Sequence, residues 1–138
     1  MCIFCEIANG RHEARIVLND EACLAFLDHR PLFVGHSLLI PKAHYETLGD
    51  LPDELLQPLF ADARLLSRAI EQTFDAVGSF VAINNKVSQS IPHLHVHVVP
   101  RRPKDGLRGF FWPRRKYASN EEADDAAQRL RVTVETLR

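Results

Sequence analysis

The sequence predicts an α+β domain whose antiparallel sheet has about five strands, and three observations predict it. From His93 to Val99, imidazole and aliphatic side chains alternate strictly, which is the period of a half-buried strand. Residues 14–27 read as two short apolar runs around Asn19-Asp20, the pattern of a hairpin. Between residues 50 and 78, apolar residues recur at three- and four-residue steps, as in a long amphipathic helix, and no β-α-β alternation appears.

Each element follows in order. Gly10 closes a short first helix. Ala14 to Asn19 and Cys23 to Leu27 are the hairpin strands, with Asp28 at the exit and Cys23 a core residue. Pro31 to Gly35 is a loop, and Ser37 to Ile40 a third strand that Pro41 ends and His36 enters. Asp50 is read as the cap of the long helix. Leu55, Leu56, Leu59, Phe60, Ala63, Leu66, Ile70 and Phe74 form its apolar stripe. Pro52 suits a first turn, while Pro58 predicts a kink or a later start. Gly78 is read as the helix end, and Phe80 to Ile83 as a fourth strand. A polar loop, Asn84 to Ile91, then leads to the histidine strand. Ser119-Asn120-Glu121-Glu122 is a capping box. Ala123, Ala126, Ala127, Leu130, Val134 and Leu137 follow it as the stripe of a C-terminal helix.

With 138 residues, the chain is read as one domain: a core over 1–100, an arm over 101–117 and the helix over 119–137. Its composition, 46% hydrophobic and 25% charged with net charge −1, is that of an ordinary soluble protein. No long apolar run or charged-then-apolar leader stands out, so neither a membrane span nor export is expected. Three cysteines are poor material for a disulfide framework and suit a reducing cytoplasm. In the arm, Arg101, Arg102, Lys104, Arg108, Arg114, Arg115 and Lys116 interleave with Phe110, Phe111, Trp112 and Tyr117. Basic residues among aromatics can bind nucleic acid. The slightly acidic chain argues against that, and a solvated or interface-packing arm is the plainer reading.

Chemistry concentrates on His93, His95 and His97. On a strand they share one face at steps of about 6.6 Å, so three in register span roughly 13 Å, awkward for one metal ion. A groove with His95 in the middle fits better. Neutral imidazole is available near pH 7 and needs no separate base to act as a nucleophile. Phosphoryl chemistry asks mainly for positioning and charge stabilisation, so attack on phosphorus is the economical hypothesis. At the other end of the chain, Cys2-Ile3-Phe4-Cys5 leaves zinc, redox chemistry and coincidence open. The redox reading wants a preceding strand, and zinc needs two further ligands.

His93-Leu94-His95-Val96-His97-Val98-Val99 resembles the signature of the histidine triad (HIT) family of nucleotide hydrolases and transferases. Phe26-Leu27-Asp28, Gly35-His36-Ser37-Leu38-Leu39-Ile40-Pro41-Lys42 with His44, and Ser88-Gln89-Ser90 resemble its earlier blocks in order and spacing. The likeness runs from about Cys2 to Tyr117, and its subgroup features are those of the zinc-containing nucleoside phosphoramidase-like branch.

The resemblance implies the same five-stranded fold, paired as a two-fold homodimer. It implies a nucleophilic His95, assisted by His97, His36 and Ser90, acting on the α-phosphate of a purine nucleotide conjugate through a nucleotidyl-histidine. Asp28 would accept from the ribose hydroxyls, with Phe4, Phe26, Leu27 and His29 around base and sugar. Asn84 and Gln89 would donate to phosphate or leaving group. A carboxylate beside a phosphate is repulsive, so placing Asp28 at the ribose end makes electrostatic sense. Trp112, in a Trp-Pro pair, would reach the partner subunit's site. Cys2, Cys5, His44 and His93 would hold a structural zinc, and no Mg²⁺ requirement is expected. Two alternatives remain open: a dinucleoside polyphosphate hydrolase, or a nucleotide-binding scaffold with incidental turnover.

Overall fold

A computed structural model describes residues 1–108 and 113–138. The chain divides into two compact units, Met1–Asp105 and Gly106–Arg138. The first runs α1 (Ile3–Ala8), β1 (Ile16–Asn19), β2 (Cys23–Leu27), β3 (Ser37–Pro41), a 3₁₀ turn (Leu48–Asp50), α2 (Asp53–Thr73), β4 (Gly78–Ile83) and β5 (Val96–Arg101). Its five strands form one antiparallel sheet in the order β1-β2-β3-β5-β4, as predicted. The second unit holds α3 (Asn120–Leu137).

Burial on both faces explains why β2, β3 and β5 read as near-continuous apolar runs. Cys23, Ala25, Leu39, Leu94, Val96 and Val98 pack on one face against Leu59, Ala63, Leu66 and Ile70 of α2. Leu24, Phe26, Leu38 and Ile40 pack on the other against Phe4 and Ile7 of α1. Each large side chain so buried contributes roughly 1.5–3 kcal/mol, which makes the two central layers the rigid base for whatever stands at their edge.

Several boundaries differ from the expectations. The histidine strand begins at Val96, not His93, because both of its ladders end there: Ile83 of β4 and Leu39 of β3 each pair with Val96. Residues 93–95 lie beyond the ladder and are held by other bonds, His93 N to Ile91 O at 2.8 Å and Leu94 N to Tyr45 O at 2.7 Å. The alternation of faces nonetheless survives, with Leu94 on the α2 side. Pro100 does not end the strand. Beyond Val98, β5 pairs with β4 alone, so the missing N–H disturbs no ladder on the open side.

Asp50 caps the 3₁₀ turn instead of the long helix. Its carboxylate accepts from the Thr47 hydroxyl at 2.7 Å and the Thr47 amide at 3.1 Å, a capping box three residues ahead of α2. The helix starts at Asp53 after Pro52 and runs through Pro58, so the later start is not observed. It ends at Thr73, where Asp75 takes the left-handed conformation (φ 51°), and Gly78 opens β4. In α3 the Ser119 hydroxyl accepts from Glu122 N at 3.1 Å, while the Glu122 carboxylate reaches back to Ala118 N. Lys104-Asp105-Gly106 forms the expected turn. Arg101 grips Asp105 through two nitrogens at 2.6 and 3.1 Å, and Arg102 donates to the Phe74 carbonyl. Two of the arm's cations therefore close the core unit.

Candidate active site and metal centre

The loop after β2 brings Asp28 and His36 to the start of β3, where Ser37 pairs with Val98 of β5. It is tied to itself: Asp28 N donates to His36 O at 2.9 Å, Arg30 N to the Asp28 carboxylate at 2.9 Å, and His36 N to Phe33 O at 3.0 Å. Gly35 makes the turn possible. Its φ is +101°, and a Cβ there would stand 2.4 Å from the Phe74 ring.

Five imidazoles follow one another across the site. The His93 and His44 rings lie 4.9 Å apart between centroids, the His95 and His97 rings 5.1 Å, and the His36 and His97 rings 5.2 Å. Phe4 of α1 meets His93 and His95 edge-on, at 6.0 and 5.2 Å, and Phe26 at 5.3 Å. Phe4 and Phe26 are both buried, Leu27 and Asp28 are half-buried, and His29 is exposed.

Hydrogen bonds give each ring its tautomer. His95 Nδ1 lies 2.7 Å from the His93 carbonyl, which only accepts, so Nδ1 carries the proton and Nε2 keeps the lone pair. His93 Nε2 lies 2.8 Å from the Pro41 carbonyl, so its Nδ1 is the bare nitrogen. That Nδ1 faces Cys2 Sγ at 3.5 Å, Cys5 Sγ at 3.5 Å and His44 Nδ1 at 3.2 Å, and Cys5 Sγ lies 3.3 Å from His44 Nδ1. Edges of a tetrahedral S₂N₂ zinc site measure roughly 3.3–3.8 Å from the usual bond lengths. These four residues fit that ion, and the Pro41 carbonyl supplies the outer bond that a zinc-ligating imidazole normally makes.

A second group, Asp28, His36 and His97, brings its ligand-capable atoms within 4.8 Å of one another. His36 Nε2 lies 3.0 Å from His97 Nδ1 and 3.6 Å from the Asp28 carboxylate. Asp28 thus stands beside the two rings at this end of the row. Burial pushes the His36 pKa below the usual imidazole value, with Asp28 pulling the other way. Burial, then His95 and His36, take His97 down to about 4. Both rings are neutral at pH 7, so a nearby carboxylate holds no imidazolium there.

On the loop before the histidines, Asn84 and Ser90 are exposed. Gln89 donates to the Glu46 carbonyl at 2.6 Å and accepts from Lys86 N at 2.9 Å, which fastens the loop to residue 46. Asn85, which the sequence reading passed over, accepts from Leu48 N at 2.9 Å and makes a second tie. Trp112, with the rest of 109–112, lies outside the described residues.

A HIT domain family model matches residues 9–104. Protein hit of Bacillus subtilis is 39% identical over 113 residues, 80% of this chain and 78% of the relative. Adenosine 5'-monophosphoramidase HNT1 of Saccharomyces cerevisiae is 32% identical over 114 residues, 81% of this chain and 70% of the relative. A crystal structure of a HIT family member from Bacillus subtilis superposes with TM-score 0.84 at 34% identity, covering 94% of each chain. A Zn-bound histidine triad protein from Mycobacterium smegmatis gives 0.73 at 33% identity, covering 99% of this chain and 97% of that one. The fold, the row of imidazoles and these relatives agree: the chain belongs to the HIT domain family, that of the histidine triad nucleotidyl hydrolases and transferases.

Proposed function

We propose that the protein hydrolyses nucleotide conjugates at the α-phosphate through a covalent intermediate on His95, with purine nucleoside phosphoramidates as the preferred class. The observation that carries this reading is the His95 Nδ1–His93 carbonyl bond of 2.7 Å, which leaves Nε2 as an unprotonated nucleophile. Nε2 attacks phosphorus, the P–N bond to His95 forms, and the bond to the substituent breaks. The leaving amine takes a proton from the site, where His97, His36 and Ser90 surround the phosphoryl group. Water then attacks phosphorus, the P–N bond breaks, and the proton that water loses restores the site.

Around the nucleoside the reading assigns Asp28 to the ribose and Phe4, Phe26, Leu27 and His29 to its surroundings. Asn84 and Gln89 serve the phosphate end, and Trp112 shapes the leaving-group side of a partner's site. Zinc on Cys2, Cys5, His44 and His93 is structural, since four protein ligands close its coordination, and the chemistry calls for no Mg²⁺. An amine leaving group is favoured over a second nucleotide because the relative HNT1 is a monophosphoramidase. A homodimer is supported by β4, a sheet edge with Val81 exposed, and by exposed Leu56 and Phe60 on α2. Thiolate ligands suit a reducing cytoplasm, and no described helix is long and apolar enough to cross a membrane.

Rapid quenching with a slow adenosine phosphoramidate tests the reading. A nucleotide mass adduct on the peptide containing His95 is expected, and His95→Gly should abolish turnover while retaining nucleotide binding. Near wild-type turnover by that variant would sink the covalent scheme. Faster turnover of dinucleoside polyphosphates than of phosphoramidates would move the protein to the other subgroup, and the absence of turnover on either would leave a scaffold.

A further inference from the structure

Proton positions on His36 and His97 are dictated from outside the site. The backbone N–H of Leu32 donates to His36 Nδ1 at 3.0 Å. An amide N–H cannot accept, so His36 Nδ1 must be bare, and the ring's single proton when neutral sits on Nε2. That Nε2–H faces His97 Nδ1 at 3.0 Å and donates to it. His97 Nδ1 is then an acceptor as well, and the His97 proton is on Nε2. The order is forced at each step, because reversing either ring would set two donors or two lone pairs against each other.

We propose that the Leu32 amide is a positioning group for the reaction: it orders the protons of His36 and His97 so that His97 offers an N–H through Nε2. Its contribution to turnover rests on the His95 reading above, whereas the proton order does not. Beside a bare His95 Nε2, a fixed Nε2–H on His97 makes the row polar in one direction. The nucleophile carries a lone pair, and its neighbour carries a donor for a phosphoryl oxygen or for the departing group. Nothing has to tautomerise when substrate arrives, which is the economy of a preorganised site. The loop's internal bonds at Asp28, Arg30 and Phe33 hold the amide in place, so its aim depends on backbone and not on the Leu32 side chain.

Nitrogen-15 NMR of histidine-labelled full-length protein at pH 7, without substrate, reads the tautomers directly. Expected are Nε2–H patterns for His36 and His97, an Nδ1–H pattern for His95, and a coupling across the hydrogen bond from the Leu32 amide to His36 Nδ1. Leu32→Pro deletes the donor, and the His36 and His97 patterns should become mixtures. The acid limb of the pH–rate profile should also move to higher pH, since Nδ1 is then open to protonation. Should that proline prevent folding, two variants at His36 carry the same question. His36→Gln keeps a donor of similar reach, so His97 should stay Nε2–H and turnover should fall less than about tenfold. His36→Leu removes the donor, should mix the His97 tautomers, and should lower kcat on the order of 10²-fold, the usual cost of one preorganised donor. An Nδ1–H pattern on His36 or His97 in the wild type would overturn the inference, as would an unmixed His97 in His36→Leu. A reversed pattern with the His95 adduct intact would fail the relay alone. The expected pattern with no adduct would fail the covalent reading alone.

Discussion

Two histidine clusters stand on either side of His95, and they differ in what lies between their nitrogens. Around His93, the Pro41 carbonyl has taken the Nε2 proton, so a lone pair meets two sulfurs and a second imidazole nitrogen. Around His36, the Leu32 amide has filled a lone pair, so a proton lies between the two rings. Buried acceptors set face to face cost about 1–3 kcal/mol each unless a cation or proton separates them. A metal ion would resolve the first cluster; the second is resolved by its own hydrogens. One residue type thus serves two chemistries, and the main-chain group on the far nitrogen decides which.

The largest effect should separate the two clusters most cleanly. Cys2→Ser with Cys5→Ser should remove about one zinc per chain, by elemental analysis, and lower stability by roughly 4 kcal/mol, in the upper range for single sites. Some turnover should survive, because the His36–His97 pair is untouched. Unaltered metal content would contradict the ligand assignment, and total loss of turnover in a folded variant would bring zinc into the mechanism.

Gly35→Ala strikes the other cluster. A Cβ 2.4 Å from the Phe74 ring on a backbone at φ +101° should cost roughly 2–3 kcal/mol by denaturant titration and displace His36. Turnover should drop while zinc content holds. Retained turnover would show that His36 tolerates movement and that the second cluster is less ordered than its distances imply.

The smallest effect belongs to a third group, where a titrating proton separates facing acceptors. Asp62 of α2 lies with Asp20 and Cys23 within 4.8 Å, and one Asp62 oxygen is buried without a partner. Burial first, then Asp20, push Asp62 up to about 6, whereas the hydrogen bond to Asp62 holds Asp20 below the usual carboxylate range. The raised group contributes stability that is complete below about pH 4 and is lost as pH rises through 6. His97, held down to about 4, works in the opposite sense, weakening the fold as pH falls from 6.5 toward 4, and the lowered His36 acts in the same direction, so the pair is best read as a difference. Asp62→Asn should be close to wild type at pH 5 and more stable than wild type at pH 8. An equal shift at both pH values would dismiss the shared proton.

Most of this architecture was legible in the residues, and the misses share a cause. Alternation from Leu94 to Val98 and the spacing from Leu59 to Ile70 found both sides of the core, because burial imposes periods that side chains record. Asp50 and Gly78 were misplaced because capping and turn residues look alike wherever a turn occurs, and here a 3₁₀ turn and Asp75 took those duties. At the site, the histidines and cysteines announced themselves by type. Their tautomers did not, since Pro41, His93 and Leu32 act through peptide groups that any residue but proline supplies in full. The closeness of Asp28 to His36 and His97 was not legible either, because charge alone cannot tell that burial favours the neutral form of the rings beside it.

Three peptide groups, the carbonyls of Pro41 and His93 and the amide of Leu32, set the polarity of the whole row. Such a program is written in chain geometry and not in the alphabet of side chains. Leu32 is itself exposed, so every replacement there but proline should read as silent in a substitution library while its amide remains essential. Insertions or deletions between Asp28 and His36 should be forbidden instead. A single extra residue would move the amide off His36 without altering any group that touches a substrate.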